Sequence, residues 1–258
     1  MRDDLFSLRG CVALVTGGNS GIGRALAIAF RDAGARVIIG ARRADRNAAV
    51  LAELGAEAAA FELDVSEELS VQRTMDGIAK RFGRLDILVN NAGTVNRASV
   101  MELDRSAWDR VINTNLTGAF LCTKHAARMM KSQGKGKIIN IASVLGLTAP
   151  SKGLQAAYTS AKHGLIGFTR VTAVELAPLG IQVNAIAPGY YLTEMTAELS
   201  GTPLEQALKR RTPSGRLGDT SDLVGTGVYL ASRASDHVNG ACIAVDGGYL
   251  ASDGLDRG

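Results

Sequence analysis

Tyr158 and Lys162 stand four residues apart in a stretch, 157–178, whose apolar spacing predicts a helix, so the two side chains share one face and can meet one ligand. A free phenol ionises near pH 10, and moving its proton at neutral pH needs a shift of roughly two to three units, each worth about 1.4 kcal/mol. The neighbouring ammonium supplies part of that shift, and any further positive charge in the site supplies more. Such a pair suits proton transfer to and from the oxygen of a carbonyl or an alcohol. A tyrosine and a lysine at this spacing also describe an ordinary helix surface, so the case depends on what the rest of the chain brings near them.

A glycine-rich run, Thr16-Gly17-Gly18-Asn19-Ser20-Gly21-Ile22-Gly23, lies directly between an apolar run and an amphipathic stretch, where a strand turns into a helix. Glycine lets backbone N–H groups approach a pyrophosphate without a Cβ clash, and the helix N-terminus adds unpaired donors and a partial positive charge. The expected ligand is a nicotinamide dinucleotide, whose oxidised ring carries a positive charge that favours a phenolate. The second strand ends Gly40-Ala41-Arg42-Arg43, with no acid about 20 residues past the glycines to accept from a ribose 2′-OH. Guanidinium groups suit a 2′-phosphate by charge and bidentate geometry. NADP(H) is therefore the favoured cofactor, and Asp45, the nearest acid, keeps NAD(H) open.

Short runs rich in Val and Ile alternate with amphipathic stretches, the βαβ pattern of a parallel sheet with helices on both faces. Strands are predicted at 12–16, 36–40, 58–63, 86–89, 137–141, 181–186 and 241–245, and helices at 21–33, 44–54, 67–82, 105–132 and 157–178. With no fixed-period repeat and no low-complexity linker, the expectation is an α/β fold: a single Rossmann-type, doubly wound domain over residues 1–258. Two stretches break the rhythm, 143–156 and the polar 189–216. Each follows a strand at the carboxyl edge, where doubly wound sheets bind ligands, so both are expected to wall the substrate site, with 189–216 as the substrate loop.

At 258 residues, with 46% hydrophobic and 21% charged residues, the composition is that of a soluble globular protein. Met1-Arg2-Asp3-Asp4 places acids where an export signal has bases, and no apolar run nears the roughly 18 residues of a membrane span. Cys11, Cys122 and Cys242 are odd in number and far apart, which speaks for a reducing cytoplasm and against a disulfide framework or structural zinc. The net charge of +4 comes from scattered bases, and 5% aromatics without a stacking motif argue against a nucleic-acid partner. His125, His163 and His237 lack metal-ligand spacing and are expected at a surface or a helix end. There is no GxSxG elbow, so hydrolase chemistry is set aside along with metal chemistry.

In order along the chain, residues 16–23, Asp64-Val65, Asn90-Asn91-Ala92-Gly93, Asn115, Ser143, Tyr158 with Lys162, and Pro188-Gly189 resemble the motifs of the short-chain dehydrogenase/reductase family. Each motif alone is weak; the ordered set, over essentially residues 8–250, is specific. The resemblance implies that Asp64, Val65 and the segment through Asn91, Ala92 and Gly93 hold the adenosine half of the cofactor. Pro188, Gly189 and Thr193 would hold the nicotinamide half, and Gly17, Asn19, Ser20, Gly21, Ile22 and Gly23 would form the cradle between. It implies further that Lys162 binds the nicotinamide ribose, that Ser143 hydrogen-bonds the substrate oxygen as charge develops, and that Asn115 positions a water linking Lys162 to solvent. The family resemblance also implies a homotetramer with its interfaces on 105–132 and 157–178.

Leu5-Phe6-Ser7-Leu8, Pro188-Gly189-Tyr190-Tyr191-Leu192-Thr193-Glu194-Met195 and Arg211-Thr212-Pro213-Ser214-Gly215-Arg216 resemble the gluconate 5-dehydrogenase and 2-keto-3-deoxygluconate 5-dehydrogenase branch. That implies a sugar acid or related polyol as the small-molecule substrate. A carboxylate substrate needs a cation near the nicotinamide, and Arg97 and Lys152 stand in predicted loops that could supply it. The alternative enzyme is a 3-oxoacyl carrier-protein reductase. The interface arginines of such reductases would fall at Ala127 and Val174, with Arg128 and Arg170 close by. The alternative of another class is a non-catalytic nucleotide-sensing protein, against which the intact Ser143, Tyr158 and Lys162 argue.

Overall fold

The predicted strands carry apolar side chains on both faces, which a sheet can hold only when both faces are covered. A computed structural model, describing residues 5–150 and 154–253, has that arrangement. In chain order the elements are β1 (Val12–Thr16), α1 (Gly21–Asp32), β2 (Arg36–Gly40), α2 (Ala44–Leu54), β3 (Ala59–Phe61), α3 (Glu68–Phe82), β4 (Ile87–Asn90) and α4 (Arg105–Ile112). There follow α5 (Gly118–Gln133), β5 (Gly136–Ile141), α6 (Ala156–Leu176), β6 (Ile181–Pro188), α7 (Pro203–Arg211), α8 (Ser221–Ala231) and β7 (Cys242–Val245). The strands form one sheet, parallel throughout, in the order β3-β2-β1-β4-β5-β6-β7.

Alternation along the strands separates two cores. Ala13, Val15, Val37, Ile39 and Val89 point to the face covered by Leu26 and Phe30 of α1, Val50 of α2 and Leu223 and Leu230 of α8. Val12, Leu14, Ile38, Leu88 and Ile138 point to the other, against Val71 and Ile78 of α3 and Leu121, Cys122 and Met130 of α5. Burying one such Leu, Ile or Phe contributes about 1.5–3 kcal/mol, so the two apolar layers fix the sheet between its helices. No helix among the described residues is long and apolar enough to cross a membrane.

The structure departs from the sequence reading in five places. The predicted helix over 105–132 is interrupted by a π-turn, Asn113–Thr117, which adds a residue to the turn without disturbing the apolar pattern on either side. β6 runs on to Pro188, at the carboxyl edge. The polar stretch 189–216 contains a 3₁₀ turn, Glu194–Leu199, and α7. Thr202, whose hydroxyl accepts from the Glu205 N–H at 3.2 Å, and Pro203 at the first helical position were the available start signals for α7. Helix α8 lies outside the predicted elements, its pattern diluted by Gly225 and Gly227. His125, expected at a surface or helix end, is buried within α5 with its Nε2 3.4 Å from Glu68.

Candidate active site

The strand order reverses between β1 and β4, and doubly wound sheets bind ligands over the carboxyl ends at such a reversal. A cleft of about 420 Å³ opens there. Its floor is the turn after β1, where Gly17 (φ +63°) and Gly21 (φ +49°) take left-handed backbone that other residues resist. Asn91 ties that turn to the end of β4. Its Nδ2 donates to the carbonyls of Thr16 (2.9 Å) and Gly17 (3.2 Å), and its N–H donates to Thr16 Oγ1 at 3.0 Å. Gly17, Asn19, Ser20, Gly21 and Ile22 line the cleft, whereas Gly23 lies behind its wall. A Cβ on Gly23 would sit 2.4 Å from the Gly17 oxygen, so this glycine lets α1 close against the turn. Ser20, the N-cap of α1, makes no side-chain cap bond. The leading N–H groups of the helix are thus available to an anion, which fits a pyrophosphate.

Beyond the turn, Arg42, Arg43, Asp64 and Val65 form the next wall. The Arg42 guanidinium is 73% exposed and 3.8 Å from Asp64 Oδ2, a weak surface pairing that a phosphate can displace. Asp64 Oδ1 is engaged by the Ser66 N–H (3.0 Å) and hydroxyl (2.6 Å). Ala92 and Gly93 continue the lining. Asn115, placed on the π-turn, does not reach the cleft. Its Oδ1 accepts from the Thr94 N–H at 2.9 Å and its Nδ2 donates to the Thr94 carbonyl at 2.7 Å, so both ends of the amide hold the 93–94 backbone.

At the other end of the cleft, Ser143 follows β5 and caps a short turn, its Oγ accepting from the Leu145 N–H at 3.1 Å. Tyr158 and Lys162 come from the first turns of α6. Lys162 is 4% exposed; its Nζ donates to the Ile141 carbonyl at 2.6 Å and lies 5.6 Å from the centre of the Tyr158 ring. Burial pulls the ammonium pKa down to about 8. The Tyr158 phenol moves the other way. Burial raises it, against the lowering effects of a hydrogen bond with the Ser143 hydroxyl and of the Arg97 charge. The sequence reading expects the lysine to lower the phenol; in the structure desolvation wins, and the ammonium is turned to a backbone carbonyl. A neutral phenol beside a serine hydroxyl can donate a proton to a developing alkoxide.

Pro188, Gly189 and Thr193 complete the wall. A Cβ on Gly189 would lie 2.8 Å from Asp246 Cα, and one on Gly21 would lie 3.5 Å from Thr193 Cβ, so the loop after β6 comes down close to the phosphate turn. Arg97 also lines the cleft, whereas Lys152 falls outside the described residues. A family model described as enoyl-(acyl carrier protein) reductase, adh_short_C2, matches residues 17–250, the span that holds this whole constellation. The chain belongs to the short-chain dehydrogenase/reductase family.

This dehydrogenase/reductase is 42% identical over 252 residues to a 2-dehydro-3-deoxy-D-gluconate 5-dehydrogenase of Bacillus subtilis, covering 96% of this chain and 97% of the relative. It is 40% identical over 244 residues to a 3-oxoacyl-[acyl-carrier-protein] reductase of Synechocystis, covering 93% and 96%. Among solved structures, it is similar to a gluconate 5-dehydrogenase from Burkholderia cenocepacia in complex with NADP and tartrate, with a TM-score of 0.93, 37% identity and coverage of 96% and 98%. The chain is an enzyme of the oxidoreductase class. Two ion pairs of this dehydrogenase/reductase, unseen in the sequence, cross the mouth of its cleft: Arg46 with Glu194, and Arg97 with Glu198 at 2.6 Å. They join α2 and the loop after β4 to the Glu194–Leu199 turn, and no local signal could pair residues so far apart.

Proposed function

We propose that this dehydrogenase/reductase interconverts a secondary alcohol and a ketone on a sugar acid or related polyol, with NADP(H) as cofactor. The observation that carries this reading is Arg97, a cation lining the cleft that also holds Ser143 and Tyr158 and close enough to act on the phenol. Its partner Glu198 is 60% exposed, so a substrate carboxylate can replace it at little cost. The sugar-acid dehydrogenases among its relatives support the same class. Arg42 and Arg43 at the adenosine end, without a carboxylate at the end of β2, support NADP(H), as does the NADP held by the Burkholderia protein.

When bound, the dinucleotide supplies or takes up the hydride. In the reducing direction Tyr158 donates its proton to the substrate oxygen while the Ser143 hydroxyl hydrogen-bonds that oxygen. Lys162 holds the nicotinamide ribose and, as a cation, favours the phenolate needed in the oxidising direction. Asn115 keeps the 93–94 backbone in place through both ends of its amide. The whole chain acts as one dinucleotide-binding and catalytic domain, with its substrate loop at about 189–216. Against the carrier-protein reductase, Ala127 is buried and Val174 presents an exposed apolar side chain where a cation would be wanted.

A spectrophotometric screen of sugar acids, polyols and keto-esters with both cofactors tests the reading. Turnover of a sugar acid with NADP(H) is expected. In Arg97→Met the KM for the carboxylate substrate should rise about tenfold, the scale of one lost charge-assisted contact, while the KM for uncharged polyols stays unchanged. Faster turnover of acetoacetyl thioesters than of any sugar acid would overturn the substrate class, and NADPH binding without turnover of anything would favour the sensor. We also read the exposed Phe120 of α5 and Val171 and Val174 of α6 as subunit contacts of a homotetramer in the cytoplasm, where the free cysteines stay reduced. Light scattering should give four times the 27.0 kDa chain mass; a monomer would refute the assembly.

A further inference from the structure

Asn47 belongs to none of the motifs read in the sequence and does not line the cleft, yet it ties together the parts that must meet the phosphates. It sits in α2, 5% exposed. Its Nδ2 donates to the Ala41 carbonyl at 2.9 Å, and its Oδ1 accepts from Asn19 Nδ2 at 2.8 Å. Its backbone N–H donates to the Arg43 carbonyl at 3.0 Å. A carbonyl only accepts, so Ala41 determines which end of the Asn47 amide is nitrogen, and that in turn determines how Asn19 must face.

Ala41 is the residue just before Arg42 and Arg43, and Asn19 lies within the glycine turn between Gly17 and Gly21. One buried amide thus sets the spacing between the pyrophosphate cradle and the arginine pair. Losing either bond would leave a polar group unpaired in a dry place, which the local backbone can relieve only by shifting. A ligand with phosphates at both places has a fixed length between them and registers such a shift. A ligand without the 2′-phosphate makes no phosphate contact at the arginine pair and is less sensitive to the shift.

We infer that Asn47 is a positioning residue for cofactor choice, holding Arg42 and Arg43 in register with the glycine turn so that NADP(H) is preferred over NAD(H). This rests on the reading of NADP(H) as the cofactor. Asn47→Asp sets an acceptor against the Ala41 carbonyl and adds a negative charge beneath the arginines; Asn47→Ser is neutral and too short to span both partners. Steady-state kinetics with NADPH and NADH are measured on the parent, both variants and Arg42→Ala.

Asn47→Asp should raise the KM for NADPH about tenfold or more, in line with the sensitivity of bound geometry to small displacements, while kcat at saturating NADPH stays within about twofold. The ratio of kcat/KM for NADPH to that for NADH should fall in both variants. Asn47→Ser carries the test alone if the aspartate variant does not fold. A parent that prefers NADPH, with an unmoved ratio in the Asn47 variants, overturns the role of Asn47 alone. Equal losses with both cofactors overturn it too, marking Asn47 as scaffold. A parent without preference, unchanged by Arg42→Ala, overturns the cofactor reading and this inference together.

Discussion

Tyr158→Phe is expected to lower kcat by roughly 10²–10⁴-fold, the contribution of a positioned acid–base group, while leaving NADPH affinity within about threefold. The ring packs against the small apolar cluster that includes Val144, Leu145 and Leu199, and phenylalanine keeps that packing. What is lost is one oxygen, which hydrogen-bonds with Ser143 and carries the proton in the proposed reaction. The lost bond by itself costs only about 1 kcal/mol of stability, too little to unfold the domain. Fluorescence of bound NADPH reads affinity separately from turnover. Turnover within about tenfold of the parent would show that another group moves the proton, and a loss of affinity as large as the loss of turnover would make the phenol a binding group.

Lys162→Met should abolish turnover by a similar factor and yet make the protein more stable near pH 7. The lysine is almost wholly buried, and its hydrogen-bond partner among the described residues is a neutral one, the Ile141 carbonyl. Burial lowers its folded pKa from the ordinary 10.5 to about 8, so between those two values the unfolded chain binds more protons than the folded one. Stability therefore rises with pH across about 8 to 10.5, and below pH 8 the folded protein bears the full cost of a charged, desolvated amine, about 1–3 kcal/mol. Methionine has similar length and no charge. In urea unfolding, Lys162→Met should exceed the parent near pH 7 and the two should converge as pH approaches 10.5. A variant less stable at pH 7 would mean that the bond to Ile141 outweighs desolvation.

That a residue central to the chemistry is held at a cost in stability agrees with how much of the surrounding structure serves to keep it in place. Strands β4, β5 and β6, buried except at Lys137 and Gln182, end together at the crevice, and α6 brings Tyr158 and Lys162 to that edge. Asn91 and Asn115 do the same for the backbone, Asn91 through its Nδ2 to the Thr16 and Gly17 carbonyls and Asn115 through both ends of its amide to Thr94. A displacement of the reacting oxygen by about 1 Å can cost about 100-fold in rate, which is the reason such side chains are locked rather than merely present.

The parts of this site legible in the sequence are those whose causes are local. Left-handed backbone at Gly17 and Gly21, a strand turning into a helix around them, the alternation of Val and Ile, and the four-residue step from Tyr158 to Lys162 all depend on neighbours a few residues away. The π-turn at Asn113–Thr117 escaped that reading because the apolar stripe resumes on its far side, and what stabilises the turn is the bond of Asn115 to Thr94, 21 residues earlier. The ion pair of Arg46 with Glu194 spans 148 positions, and the bond of Asn19 to Asn47 spans 28.

Even for Tyr158 and Lys162, the sequence by itself determined which groups share a face and what chemistry that permits. Only the tertiary structure decided their protonation, since the desolvation that raises the phenol and lowers the ammonium comes from the surrounding fold, with Ser143 and Arg97 opposing it at the phenol. Helical geometry is set by adjacent residues, whereas the dielectric around a charge is set by whatever the fold packs against it.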